Sequence, residues 1–157
     1  MHSINEACPR MLEYRPPRIA LTLLLFATAL QLLAPASWPA IPSSTAGGAM
    51  LALLGCSIML RAWWLFRNQQ TAICPTAKTT TLITNDIYGL TRNPMYLGIV
   101  LMLLGLAVIV GGVFFYMAPL VFFLIINFVF CPYEETELGK DFHPEFTTYV
   151  KTVRRWL

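Results

Sequence analysis

Not one charged residue stands between Asn93 and Tyr133. A hydrocarbon core about 30 Å thick is crossed by about 20 apolar residues in helical form. The uncharged stretch is too long for one crossing and right for two, with Gly111-Gly112 as the natural turn between them. Two further apolar runs precede it. One extends from Ile19 to Ala34 and stops at Pro35; the other starts near Gly47 and continues towards Trp63, Trp64 and Phe66. The fold class read from this pattern is all-α and integral to a membrane, a single domain over 1–157. Spans are expected at about 18–35, 47–66, 94–111 and 113–131. A cytoplasmic, amphipathic helical tail is expected over 132–157.

Composition agrees. The chain is 57% hydrophobic and 12% charged, about half the charge of a soluble domain, where roughly 25% is usual. A net charge of +3, of mixed sign, argues against a nucleic-acid partner. Cys8, Cys56, Cys74 and Cys131 form no CxxC pair, and His2 and His143 are the only histidines, so neither a disulfide framework nor a metal site is expected.

The cations set the orientation. All 11 Lys and Arg residues fall on one side of a four-span chain, and cytoplasmic flanks favour them. Both termini are therefore expected in the cytoplasm. A compact chain of this kind suits a bacterial inner membrane; oligomeric state is not legible. His2 excludes N-myristoylation, and the segment before Pro16 reads as a cytosolic lead-in. Span one has an alternative reading as a signal peptide, because arginines precede it and small residues follow. Arg61, inside span two, is expected to snorkel to the interface beside Trp63 and Trp64.

The spans hold Gln31, Asn127 and a few hydroxyls, but no carboxylate, lysine or histidine beyond their ends. Proton-coupled transporters and ion channels usually place an ionisable group at depth, so the chemistry is sought at the cytoplasmic face. Two segments crowd polar and aromatic residues there. In the first, Arg92, Asn93, Pro94, Tyr96, Leu97 and Gly98 head the third span, with Tyr88 just before. Asn93 suits an N-cap and Pro94 the first helical position. In the second, Pro132, Glu134 and Glu135 read as a helix beginning. Leu138, Phe142, Phe146, Tyr149 and Val153 follow at spacings that make one helical stripe. Pro144 predicts a bend at 142–144. The acidic start of this tail is unfavourable against an anionic leaflet, and faces a cationic partner such as Arg92 better.

Together the two segments resemble the isoprenylcysteine carboxyl methyltransferase and phospholipid methyltransferase group of membrane enzymes. The first motif is Arg92, Asn93, Pro94, Tyr96, Gly98. The second is Glu134, Glu135, Leu138, Phe142, Phe146, Tyr149, Val153, Arg155, Trp156. Departures fall at turns: Asp86-Ile87-Tyr88 where the group often has Gly-Pro-Tyr, His143 where it often has Gly, and Arg154 where it often has Pro. The resemblance implies S-adenosylmethionine as cofactor. Arg92 would hold its carboxylate, helped by the first amides of span three. Glu134 and Glu135 would meet its ammonium or ribose hydroxyls. Tyr88, Tyr96, Phe142 and Tyr149 would offer ring faces to adenine and sulfonium. Arg92 and Glu135 are the catalytic candidates, with Glu135 or an aromatic hydroxyl taking a proton if the acceptor is an amine. The acceptor would be lipophilic or small and reach the site from the bilayer. Two other readings stay open: an NADPH-dependent reductase of the sterol reductase type, and a non-catalytic membrane scaffold.

Overall fold

The computed structural model describes residues 16–34, 41–68 and 81–157. The lead-in before Pro16, the small residues after Ala34, Cys74 and Lys78 lie outside the described residues. The described chain is helical, with no strand among those residues. Helices α1 (Pro16–Leu33), α2 (Thr45–Asn68), α3 (Pro94–Val110) and α4 (Val113–Ile125) form a bundle. A π-helical turn (Ile126–Phe130) joins α4 to α5 (Cys131–Asp141), and α6 (Glu145–Thr152) follows. A short 3₁₀ turn, Asp86–Gly89, precedes α3.

Among the described residues three helices are long and apolar enough to cross a membrane: Pro16–Leu33, Thr45–Asn68 and the continuous Val113–Asp141. Helix α3 is apolar too, but has 17 residues, about 26 Å at 1.5 Å per residue. Leu21, Leu25, Phe26, Leu32, Leu33, Met50 and Leu53 are exposed on α1 and α2. Such rows of bare apolar side chains suit hydrocarbon surroundings, since water would penalise each by roughly 1.5–3 kcal/mol.

In space α2 packs along α3, α3 against α4, and α4 against α1. The α2–α3 contact is antiparallel and made by glycines two helical turns apart. A Cβ on Gly98 would lie 2.6 Å from the Gly55 carbonyl oxygen, and one on Gly105 2.6 Å from that of Gly48. Without a hydrophobic force between helices in lipid, this close backbone approach supplies the van der Waals contact that holds them.

The ends of the bundle differ in kind. At one end Ile41 N–H donates to Gly111 O (2.9 Å) and Ser44 N–H to Val108 O (3.0 Å), so the two uncharged connections meet. Gly111 closes α3 in a left-handed conformation, φ 70°, which glycine adopts without strain. At the other end lie Arg61, Asp86, Arg92, Glu134, Glu135 and α6.

Two expectations change. Asn93 heads α3, but its side chain makes no cap hydrogen bond; Asn93 Nδ2 instead donates to Arg155 O at 3.0 Å. Pro132 does not begin a separate helix. The helix continues from Val113 to Asp141, and Cys131 N–H reaches back to Ile126 O. That i→i−5 bond widens the backbone just where the proline ring would clash with the carbonyl four residues earlier. The 29-residue helix is about 44 Å long and overshoots a ~30 Å core. Its uncharged part ends at Tyr133, so the acidic end from Glu134 onwards projects beyond.

The bend is where Pro144 places it, between Asp141 and Glu145. The stripe Leu138, Phe142, Phe146, Tyr149 and Val153 forms one apolar cluster, closed by Leu82. The tail therefore folds onto the loop ahead of α3.

Candidate active site

The loop before α3 is fixed from both sides. Arg61 Nη2 lies 2.5 Å from Asp86 Oδ2, and its guanidinium sits 4.7 Å above the Trp64 ring. The interfacial setting expected for Arg61 thus gains a partner: the side chain ties α2 to the loop. Asp86 adopts φ 56°, a left-handed conformation in which aspartate is among the better-tolerated residues, and its Oδ1 accepts from Ile87 N–H at 2.7 Å. The Arg61 hydrogen bond holds the Asp86 carboxyl below its ordinary range. This start sets the 3₁₀ turn that buries Tyr88, whose ring packs edge-on against Phe66 of α2 (5.5 Å). Tyr149 of α6 donates its hydroxyl to Tyr88 O at 2.6 Å. Burial pushes the phenols of both up, Tyr149 to about 12, so both are neutral.

The C-terminal strap after α6 closes the other side. Arg92 N–H donates to Arg154 O (3.1 Å). Arg155 O accepts from Thr91 Oγ1 (3.1 Å) and Asn93 Nδ2 (3.0 Å). Arg155 forks onto Glu135, Nε to Oε1 at 2.8 Å and Nη2 to Oε2 at 2.5 Å. Asn127 Oδ1, inside the π turn, accepts from Trp156 Nε1 at 3.0 Å and from Arg155 Nη1 at 3.4 Å. The Trp156 ring lies 4.8 Å from that of Phe123.

Between these walls sit Arg92 and the two glutamates. Arg92 Nη1 is 2.9 Å from Glu135 Oε1, with side-chain exposures of 12% and 23%. The distance makes an ion pair, but the N–H vectors miss the oxygen: Arg92 Nε and Nη1 are buried with no hydrogen-bond acceptor. Leaving such donors unmatched costs roughly 1–3 kcal/mol each, more when charged. Glu135 thus carries two guanidiniums. Glu134 is oriented differently. It forms no ion pair among the described residues and accepts the hydroxyl of Tyr96. Tyr96 belongs to the buried cluster of Ala20, Leu103, Phe122, Ile126, Phe130 and Cys131, so Glu134 stands where the site meets the apolar interior of the bundle.

Arg92, Tyr88, Tyr96, Tyr149, Glu134 and Glu135 are therefore gathered at one end of the bundle, with Asn93 behind Arg92. Pro94 is fully buried at the first position of α3. Leu97 is half-buried and donates the first regular helical bond, to Asn93 O (3.0 Å); the amides before it have no intrahelical partner. Gly98 faces α2, against Gly55 and Met59, and serves packing. Phe142 joins the α6 cluster. Reasoning from sequence passed over Arg155 and Asn127 as site residues. The signals were present: Arg155 stands in the tail motif, and Asn127 is an amide in an otherwise apolar run, five residues before a proline.

A family model described as phospholipid methyltransferase matches residues 43–145. The chain belongs to the phospholipid methyltransferase family. The match runs from just before α2 to the first residue of α6, and so carries Arg61, Asp86, Arg92, Tyr96, Asn127, Glu134 and Glu135. No curated protein and no solved structure matches the chain. Membership makes the chain one of a methyltransferase family, and much of the matched stretch's polar and charged part lies at the charged end of the bundle.

Proposed function

We propose that the protein transfers a methyl group from S-adenosylmethionine to a lipophilic acceptor at the membrane surface. The observation that carries the reading is the pair of buried, unmatched donors on Arg92, which suit a carboxylate, the group an arginine fork takes best. The amides opening α3 add positive potential at the same place. S-adenosylmethionine supplies a methyl group on a sulfonium, already activated for transfer. Arg92 binds the carboxylate; Glu135, neutralised by Arg155, holds Arg92 in place. Glu134, bonded to the Tyr96 hydroxyl, stands apart from this ion pair. Tyr88, Tyr96 and Tyr149 stand at the same end of the bundle, and aromatic rings suit a cation, worth roughly 0.5–2 kcal/mol per contact. What these residues contribute to rate is orientation and exclusion of water. Membership of a methyltransferase family favours this donor over a nicotinamide.

In this reading α3 is a fourth span, both termini are cytoplasmic, and the neutral loops at 41–44 and 111–112 face the other compartment. The acceptor reaches the site sideways from the bilayer, and the donor reaches it from the cytoplasm. The test is transfer of isotopically labelled methyl from S-adenosylmethionine into lipid-extractable product by protein in native-lipid vesicles. Wild type is expected to label lipid and Arg92→Ala to fall by about 10- to 100-fold, the loss of a charge-assisted hydrogen bond of roughly 1.5–3 kcal/mol. Equal labelling by both would overturn the reading.

A further inference from the structure

The two adjacent glutamates have different surroundings, and only one is available for proton chemistry. Glu135 is held by Arg92 at 2.9 Å and forked by Arg155 at 2.8 and 2.5 Å. Both Glu135 oxygens are thus taken up by guanidinium groups. Glu134, one residue earlier, points about 100° away round the helix. It meets the Tyr96 hydroxyl above the apolar cluster that joins α1, α3 and α4. In the methyl-transfer reading a lipid acceptor would approach Glu134 from the side of this cluster, away from the Arg92–Glu135–Arg155 group.

We propose that Glu134 is the proton acceptor of the site, taking a proton from a lipid ammonium so that its nitrogen can receive the methyl group. This rests on the methyl-transfer reading and assigns the residue that an amine acceptor requires. One N–H bond breaks and one O–H bond forms at Glu134. The freed nitrogen lone pair forms the N–C bond while the sulfonium S–C bond breaks, its electron pair staying on sulfur. The product is a methylated ammonium and a neutral thioether, and Glu134 returns its proton to water.

The groups facing Glu134 are Tyr96 from α3, Tyr88 from the 3₁₀ turn, and Cys131 and Glu135 on its own helix. Arg18 of α1 is exposed. Burial pushes the Glu134 carboxyl up to about 7, with the Tyr96 hydroxyl drawing it back and Glu135 adding to the rise. A base poised near the working pH is the most effective kind.

The experiment uses the full chain in phosphatidylethanolamine vesicles. An infrared pH titration without cofactor should show a carboxylic-acid band that fades near neutral pH and is missing in Glu134→Gln. Tyr96→Phe, which removes a hydrogen bond to the charged form, should move that midpoint to higher pH. In the transfer assay Glu134→Gln should lose about 10²–10⁴-fold in rate, the usual scale for a general base. The acid limb of its pH profile should also vanish. Its S-adenosylmethionine affinity should stay within roughly threefold of wild type, since a base acts on the rate rather than on ground-state binding. The proposal is overturned by an unchanged rate and profile in Glu134→Gln, by a loss of cofactor affinity as large as the loss of rate, or by no movement of the midpoint in Tyr96→Phe. Lack of transfer by wild type would instead count against the functional reading, even with the carboxyl band in place.

Discussion

At the scale of single residues, two hydrogen-bonding side chains and one carboxyl give direct expectations. Tyr149→Phe removes the donor to Tyr88 O and strands a buried carbonyl. The expected cost is about 1–3 kcal/mol, read as a lower unfolding temperature in detergent. Arg155→Ala leaves Glu135 with Arg92 alone and Asn127 with Trp156 alone. It should cost roughly 1.5–3 kcal/mol, as hydrogen bonds to charged groups do. Glu134 makes stability depend on pH in an unusual direction for a carboxylate. Its folded value of about 7 lies above the ordinary 4.5, so the folded state binds more protons than the unfolded state between these values. The contribution is fully present below about pH 4.5 and is lost as pH rises through about 7. Glu134→Gln is therefore expected to unfold at a higher temperature than wild type at pH 8, on the alkaline side of that window, by an amount that shrinks on acidification.

At the scale of elements, glycine position separates packing from propensity. Gly98→Val drives a side chain into α2, where even a Cβ would sit 2.6 Å from Gly55 O. Overpacking of this kind costs typically 1–3 kcal/mol, and more against backbone. Gly139→Ala meets nothing closer than Phe146 Cδ1 at 3.7 Å and should stabilise α5 by about 0.5–1 kcal/mol. Thermal unfolding of the two variants beside wild type checks both signs. The same elements mark what sequence made legible. The stripe from Leu138 to Val153 could be read because its period is that of a helix, and the turn at Gly111 because glycine alone suits its φ. The role of Gly98 could not, because a glycine in an apolar run looks the same whether it faces a ligand or a neighbouring helix. Nor could the unbroken helix through Pro132, because proline is tolerated there only by a π turn that depends on tertiary packing. The site was legible as two motifs, but which glutamate Arg92 and Arg155 would occupy is a matter of helical phase. That phase is set by the π turn.

At the scale of the whole molecule, the charged and uncharged connections separate to opposite ends of the bundle, and the proposed orientation follows. Ser43→Cys and Asp141→Cys, both at exposed positions, should react with an impermeant thiol reagent from opposite faces of the membrane, Asp141→Cys from the cytoplasmic face. The central claim is that the unmatched Arg92 donors, held in place by Glu135, make the binding site for the methyl donor. Equilibrium titration of S-adenosylmethionine into the purified protein tests this most directly. Saturable binding by wild type, weakened about 10- to 100-fold in Arg92→Ala as the loss of a charged hydrogen bond requires, is the expected result. Binding of equal strength in wild type and Arg92→Ala, or none in either, would contradict it.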